Sequence, residues 1–350
     1  MKSFCRGVCL TLFLGLPAWA DNPSPLFTSH ERLEIRLSAP FSELKRSRGE
    51  DREYFPATLS YLDASDREAD FELKVRTRGK SRSDPETCEF PPLLLNFKRK
   101  ALAGTLLAGE NRLKIVTHCR RGLAHNNYVL LEYLSYRALN LFSDASLRVR
   151  RVQVTYVESS RDREVADRPA FILEDIGRMA DRLGMERVKS ENVDWQQYDP
   201  ASLNLYAVFQ FFLGNTDWSI ARAPSGDSCC HNGFALQRAD GLLVPVPYDF
   251  DATGMVNAPY ARPAEQLSIR TVRQRLYRGL CQSDELLQNT LEDFLARREA
   301  LTELFASEPG LSNKARRSAL AYIEDFYEII NEPQKRDRQI VARCREVQEE

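Results

Sequence analysis

The chain has 350 residues with 49 Lys and Arg against 50 Asp and Glu, so its net charge is only −1. Near-neutrality with both signs interspersed argues against a nucleic-acid binder, which shows a basic excess. The length suits one large domain or two smaller ones, and there is no internal repeat.

In chain order, Lys2 and Arg6 precede an apolar run from Val8 to Leu16 that ends in Pro17-Ala18-Trp19-Ala20. This reads as a cleavable secretory signal over 1–20, too short to cross a bilayer, which needs about 20 apolar residues. No later stretch is apolar enough to span a membrane, and the expected location is periplasmic or secreted. Beyond the signal remain Cys88, Cys119, Cys229, Cys230, Cys281 and Cys344. An even number in an exported chain points to disulfides. The expected pairs are Cys88–Cys119, with Cys281 closing onto Cys229 or Cys230. Cys229-Cys230 lacks the CxxC spacing and the histidine pair of a zinc site.

Leu33 to Leu37, Ala57 to Leu62 and Phe71 to Arg76 alternate apolar and polar residues as half-buried strands do. Leu93 to Phe97, after Pro91-Pro92, and Leu113 to Val116 are further short strands. From Asn126 to Phe142 the period changes to that of a helix, with Val129, Leu130, Tyr133, Leu134 and Leu141 on one face and Asn126 or Asn127 as cap. Strands resume at Val149 to Val157 and Ala170 to Leu173. Beyond Glu174 the chain reads as mostly helical. Ser202 to Leu213 is apolar all round, as a buried helix is. Leu242 to Val246 forms part of a small strand pair, and Leu286 to Phe305 and Ser318 to Ile330 follow a helical period. The basic stretch after Pro333 reads as a solvated helix face. Residues 21–175 are thus expected to form a β-rich part and 176–350 a mainly helical one.

Polar residues suited to chemistry gather between 214 and 251: Gly214 to Ser219 follow the buried helix, His231-Asn232 open the next segment, and Asp249-Phe250-Asp251 follow an apolar strand, where rigid scaffolds present catalytic groups. Asp217, Asn232, Asp249 and Asp251 are oxygen donors of the kind Mg²⁺ and Mn²⁺ prefer. Phosphoryl transfer uses such a set, with one carboxylate for the nucleophile and an Asn and second carboxylate for the metal. It also uses a Lys–Glu pair on the phosphates. Lys114 precedes the helix carrying Glu132, and Lys98 is a competing lysine. Singly, Asn215-Thr216-Asp217-Trp218 reads as a capped turn, Asp249-Phe250-Asp251 as a strand-end turn, and Glu132 as a salt-bridged helix residue. Arg76, Arg78, Lys80 and Arg82 form a basic stripe beside Gly79, either solvated or phosphate-binding.

Taken together, these segments resemble the CotH-type kinases, relatives of the spore-coat protein H kinase. The matching stretches are Arg76-Thr77-Arg78-Gly79-Lys80-Ser81-Arg82, the strand around Lys114, Phe171-Ile172-Leu173-Glu174-Asp175, Asn215-Thr216-Asp217, His231-Asn232 and Pro247-Tyr248-Asp249-Phe250-Asp251. The resemblance spans roughly 70–280. It implies an α+β, atypical protein-kinase-like two-lobed fold with a β-rich N-lobe and a mainly helical C-lobe. It also implies phosphate transfer from ATP or another nucleotide, with Mg²⁺ or Mn²⁺, to a protein or other hydroxyl acceptor. Asp217 would be the catalytic aspartate, and Asn232 and Asp249 metal ligands, with Asp251 beside them. Glu174 would begin the adenine-contacting segment, and Glu132 would partner the nucleotide lysine. Two features depart from the family. No lysine lies beside the strand at Phe90-Pro91-Pro92-Leu93, and Asp217 is further from Asn232 than the about four intervening residues of a protein kinase. Two other readings stand beside this one: a non-catalytic envelope or surface protein, and a metal-dependent hydrolase on the same carboxylates.

Overall fold

The computed structural model describes residues 24–49, 52–223 and 228–346. The signal segment expected over 1–20 lies outside them.

Strand β1 (Leu33–Ala39) is followed by the one-turn helix α1 (Phe41–Leu44), then by β2 (Phe55–Leu62), β3 (Glu68–Thr77), β4 (Leu93–Phe97) and β5 (Arg112–Val116). Helix α2 (Ala124–Asn140) crosses over to β6 (Val149–Glu158), which turns into β7 (Arg163–Leu173). The expected strands are all present. Alternation is clearest in β3, where Phe71, Leu73, Val75 and Thr77 are buried while the residues between them face outward. Neither Asn126 nor Asn127 caps α2, which starts at Ala124 without a side-chain cap. Asn127 instead accepts a hydrogen bond from the Ser312 backbone N–H.

The strands close into a barrel in the order β1-β2-β3-β4-β5-β7-β6. Closure comes from β1 and β6, which pair in parallel from Leu33 opposite Val152 to Ala39 opposite Glu158. The neighbouring pairs around the rest of the barrel are antiparallel. Leu37, Val75, Leu95, Ile115 and Val154 fill its interior.

After β7 come α3 (Ile176–Leu183), the two-residue β8 (Glu186–Arg187) and α4 (Pro200–Leu213). The hairpin of β9 (Gly233–Gln237) and β10 (Leu243–Pro247) follows, with β8 on the β9 edge. The chain ends in α5 (Asp284–Ala296), α6 (Arg298–Ala306), α7 (Asn313–Asn331) and α8 (Pro333–Gln339). The single helical period read over Leu286 to Phe305 is broken at Arg297, which ends α5 and starts α6.

The kinase-like two-lobed fold expected from the resemblance is not what forms. Among the described residues the first half is a closed seven-stranded mixed barrel that shares an apolar core with the helices after it. One apolar core joins the barrel's Val116, Val149, Phe171 and Leu173 to α2, α4, β9, β10 and the last helices. The physical reason is that α2, buried through Val129–Ser135, has barrel on one side and helices on the other. Alternation reports which face of a strand is inward. It says nothing about whether the sheet stays open or curls until its edges meet.

The disulfides are Cys88–Cys119, Cys281–Cys344 and Cys229–Cys230, which joins adjacent residues. The first is the expected pair. Cys281 is instead drawn to Cys344 because Leu280 bridges to Arg345, laying the chain end beside that segment. Among the described residues no helix is long and apolar enough to cross a membrane.

Candidate functional site

Asp217 is presented by the end of α4. Asp199 caps this helix by accepting from the Ser202 N–H at 2.8 Å, and Pro200 begins it. It stops at Gly214, whose φ of 64° suits a residue without Cβ. Asn215 then folds the turn: its Oδ1 accepts the Asp217 N–H at 3.0 Å, and its carbonyl accepts the Trp218 indole N–H at 3.0 Å. The capped-turn reading therefore holds for Asn215, which leaves the Asp217 side chain exposed.

Asn232 and Asp249 flank the open end of the β9–β10 hairpin, where Gly233 pairs with Pro247. The Tyr248 N–H donates to the Asn232 carbonyl at 3.0 Å. Both Asn232 and Asp249 have positive φ, 49° and 62°. The long loop after Asp217 returns through backbone bonds, Ser219 N–H to the His231 carbonyl and His231 N–H to the Arg222 carbonyl, each 3.1 Å. It needs no disulfide across it. Asn232 Nδ2 then donates to the Asp217 carbonyl at 2.8 Å and to its Oδ2 at 2.9 Å. His231 Nε2 lies 2.7 Å from Asp217 Oδ1. These contacts have opposite effects on the pair: the hydrogen bond from His231 lowers the Asp217 carboxyl, and the same bond raises the imidazole.

Phe250 is fully buried against the Tyr136 ring, 4.6 Å between centroids, and points the flanking Asp249 and Asp251 toward the cleft. The Asp249 N–H donates to Tyr136 Oη at 2.9 Å. Asp251 Oδ2 accepts from Tyr260 Oη at 2.9 Å. The Asp249 carboxylate accepts no hydrogen bond from a described residue. Burial, then the charge of Asp251, pushes it up to about 7.

The two acidic loops meet through glycines. Gly254 N–H donates to the Gly214 carbonyl at 3.2 Å. A Cβ at Gly254 would run into Tyr322 Oη and the Val272 carbonyl oxygen. Gly254→Ala is therefore expected to cost about 1–3 kcal/mol as overpacking. It should also shift Asp217 relative to Asp249. Melting with and without nucleotide and Mg²⁺ checks both effects, and an unchanged melt would refute the close approach.

Glu132, Asp217, Asn232, Asp249 and Asp251 all line one cleft of about 760 Å³, together with Arg78, Gly79, Lys80 and Arg82. Glu132 is partnered by Arg82, not by a lysine: Nη1 is 3.2 Å from Glu132 Oε2 and 3.9 Å from Asp251 Oδ2. Arg82 Nη2 also donates to the Thr117 carbonyl at 2.6 Å. Lys114 lies beside the cleft, its Nζ 5.3 Å from the centre of the Tyr248 ring. Burial, then the charge of Arg78, lowers it to about 8. Lys98 is exposed at the start of a short helical turn, away from the cleft. The Glu174 side chain is buried and held by Arg182 at 3.0 Å through both oxygens, so it is a structural ion pair outside the cleft lining. Arg82 is the residue that sequence reasoning placed in the basic stripe without its role. Its signal is its position three residues after Gly79, where a short helical turn, Ser81–Ser83, carries it inward.

Among the described residues no three His, Cys, Asp or Glu side chains converge as a ready-made metal site. An Mg²⁺-type ion does not need one, since it is commonly held by one or two carboxylates together with substrate phosphates and waters. The Asp249 carboxylate, which lines the cleft beside Asp251 and receives no hydrogen bond from a described residue, fits that mode. No family model, curated protein or solved structure matches this chain.

Proposed function

We propose that this cleft transfers a phosphoryl group from ATP or another nucleotide to a hydroxyl acceptor, in a compartment outside the cytoplasm. The observation that carries this reading is the gathering of carboxylates and arginines in the lining of one cleft. Asp249 and Asp251 share its lining with the Arg78–Arg82 loop, whose Arg82 is held by Glu132 and comes within 3.9 Å of Asp251. The motif resemblance supports the same reading, and the three disulfides suit an oxidising compartment.

Asp217 orients the acceptor hydroxyl and takes its proton. Asn232 and His231 fix the Asp217 carboxylate, leaving it little freedom to rotate. The loop from Gly79 to Arg82 meets the phosphate oxygens, and Glu132 holds Arg82 in position for them. Asp249, Asp251 and the Asn232 side-chain oxygen would hold the ion. A bound Mg²⁺ or Mn²⁺ supplies neutralisation of charge on the phosphates. The protein's part is positioning and preorganised charge.

Melting of residues 21–350 in oxidised form, with ATP, with Mg²⁺ or Mn²⁺ and with both, tests this. A ligand that binds only the folded state raises the melting temperature. The rise is expected only with nucleotide and metal together, and should vanish in Asp249→Ala. Folded wild-type protein that no nucleotide shifts would rule out the reading.

A further inference from the structure

We propose that Arg52, Arg76 and Arg78 form an anion subsite on the outer lip of the cleft, and that it takes a phosphate group carried by the acceptor rather than by the nucleotide. The assignment to the acceptor rests on the phosphotransfer reading; the subsite itself does not.

The β3 alternation explains why these side chains meet. Val75 and Thr77 point into the barrel, so Arg76 points out, and Arg78 follows on the same side. Arg52, from the segment before β2, donates to the Gly79 carbonyl at 2.5 Å and so joins them. The Arg76 guanidinium lies 5.0 Å over the Tyr54 ring, and Arg78 Nη2 donates to Tyr248 Oη at 2.6 Å. Aromatic and hydroxyl partners hold these groups in place without cancelling their charge.

None of the three forms an ion pair with a carboxylate of a described residue. Their side-chain partners among those residues are the Gly79 carbonyl, the Tyr54 ring and the Tyr248 hydroxyl. Arg52 Nε and Arg76 Nε are both buried without a hydrogen-bond partner. Burial, followed by the charges of Arg76 and Arg78, pushes the Arg52 guanidinium down. Arg82, a few residues along the same loop, is the contrast: it is paired with Glu132 and close to Asp251. Among the described residues, Arg82 thus has carboxylates beside it, whereas Arg52, Arg76 and Arg78 form no ion pair. Several guanidiniums sharing a site suit the oxygens of a phosphate dianion.

The acceptor is favoured over the nucleotide by position. Arg52 and Arg78 line the cleft, but Arg76, which lies against the Tyr54 ring, is outside its lining, as is Tyr54. A group held by Arg76 therefore belongs to something extending out of the cleft.

The test is thermal melting at low, constant ionic strength, with inorganic phosphate as probe and acetate as control. Phosphate is titrated onto the free protein and onto protein saturated with Mg²⁺ and a non-hydrolysable ATP analogue. In the wild type phosphate should raise the melting temperature in both states, and acetate should not. Arg76→Gln should melt higher than wild type without anion, because repulsion is relieved, whereas losing a merely structural arginine would lower it. The same variant should lose most of the phosphate response and keep the nucleotide response. Absence of a phosphate response in the wild type, or its survival in Arg76→Gln, overturns the subsite. Phosphate and nucleotide responses lost together in the variant, or a phosphate response abolished by saturating nucleotide, overturn the assignment to the acceptor. A phosphate response with no nucleotide response supports the subsite and defeats the phosphotransfer reading alone.

Discussion

Arg82→Met is expected to lower stability by about 3–5 kcal/mol, the cost of breaking a buried ion pair from one side. Arg82 and Glu132 are both nearly inaccessible, at 8% and 3% exposure. Without the guanidinium, Glu132 and Asp251 lose the cation in contact with them, and the Thr117 carbonyl loses its donor. Burial already raises the Glu132 carboxyl well above the usual range, and Asp251 and Asp249 add to the effect. At roughly 2–4 °C per kcal/mol for a domain somewhat smaller than this one, the melting temperature should fall by about 10 °C. Two further measurements separate charge from shape. Added Mg²⁺ should restore part of the loss, because a cation returns to the carboxylates. The double variant Arg82→Met/Glu132→Leu should recover most of it, because neither charge is then left unpaired. A shift of less than about 2 °C for the single variant would mean the pair does not hold this end of the cleft.

Phe250→Ala should cost a similar amount, about 3–5 kcal/mol, as a large-to-small change in a packed interior. The ring is wholly buried, 4.6 Å from the Tyr136 ring and 6.0 Å from that of Phe209, so a cavity would open between α2 and α4. Its functional consequence should exceed its share of stability. Asp249 and Asp251 are its chain neighbours, and the Asp249 N–H is tied to the Tyr136 hydroxyl that the ring packs against. The melting rise with nucleotide and metal should be lost in Phe250→Ala and largely kept in Phe250→Leu, which fills most of the volume. A destabilised Phe250→Ala protein that still responds fully to nucleotide and metal would show that the ring supports the core without positioning the carboxylates.

The two variants also mark how far sequence reading reaches. Asp249-Phe250-Asp251 stands out in the sequence because it follows an apolar strand. The hairpin register then explains why it meets Asn232 and Asp217. The Lys–Glu pair is not legible. Lys114 precedes Glu132's helix in the chain, but it pairs across β5–β7 with Leu173 and its side chain faces the Tyr248 ring. That leaves Glu132 to Arg82. Lys98 fails for a similar reason: it begins the turn after β4, where its side chain meets solvent. Glu174 does end an apolar strand as expected, but Arg182, one helix later, takes both its oxygens.

By itself, the sequence determined what depends on near neighbours. The inward faces of β1 and β3 follow from period-two alternation, and the buried character of α4 follows from its apolar circumference. The Asn215 turn and the even cysteine count follow the same local logic. Only the tertiary structure decided what depends on partners far along the chain. It paired β1 with β6 and so closed the barrel, and it set α2 between barrel and helices in one core, where a two-lobed fold was expected. It also joined Cys281 to Cys344 and gave Glu132 an arginine. Periodicity records how one residue sits relative to the next few. Strand closure, disulfide pairing and buried charge pairs are set by which surfaces pack together, and alternation carries no information about that choice.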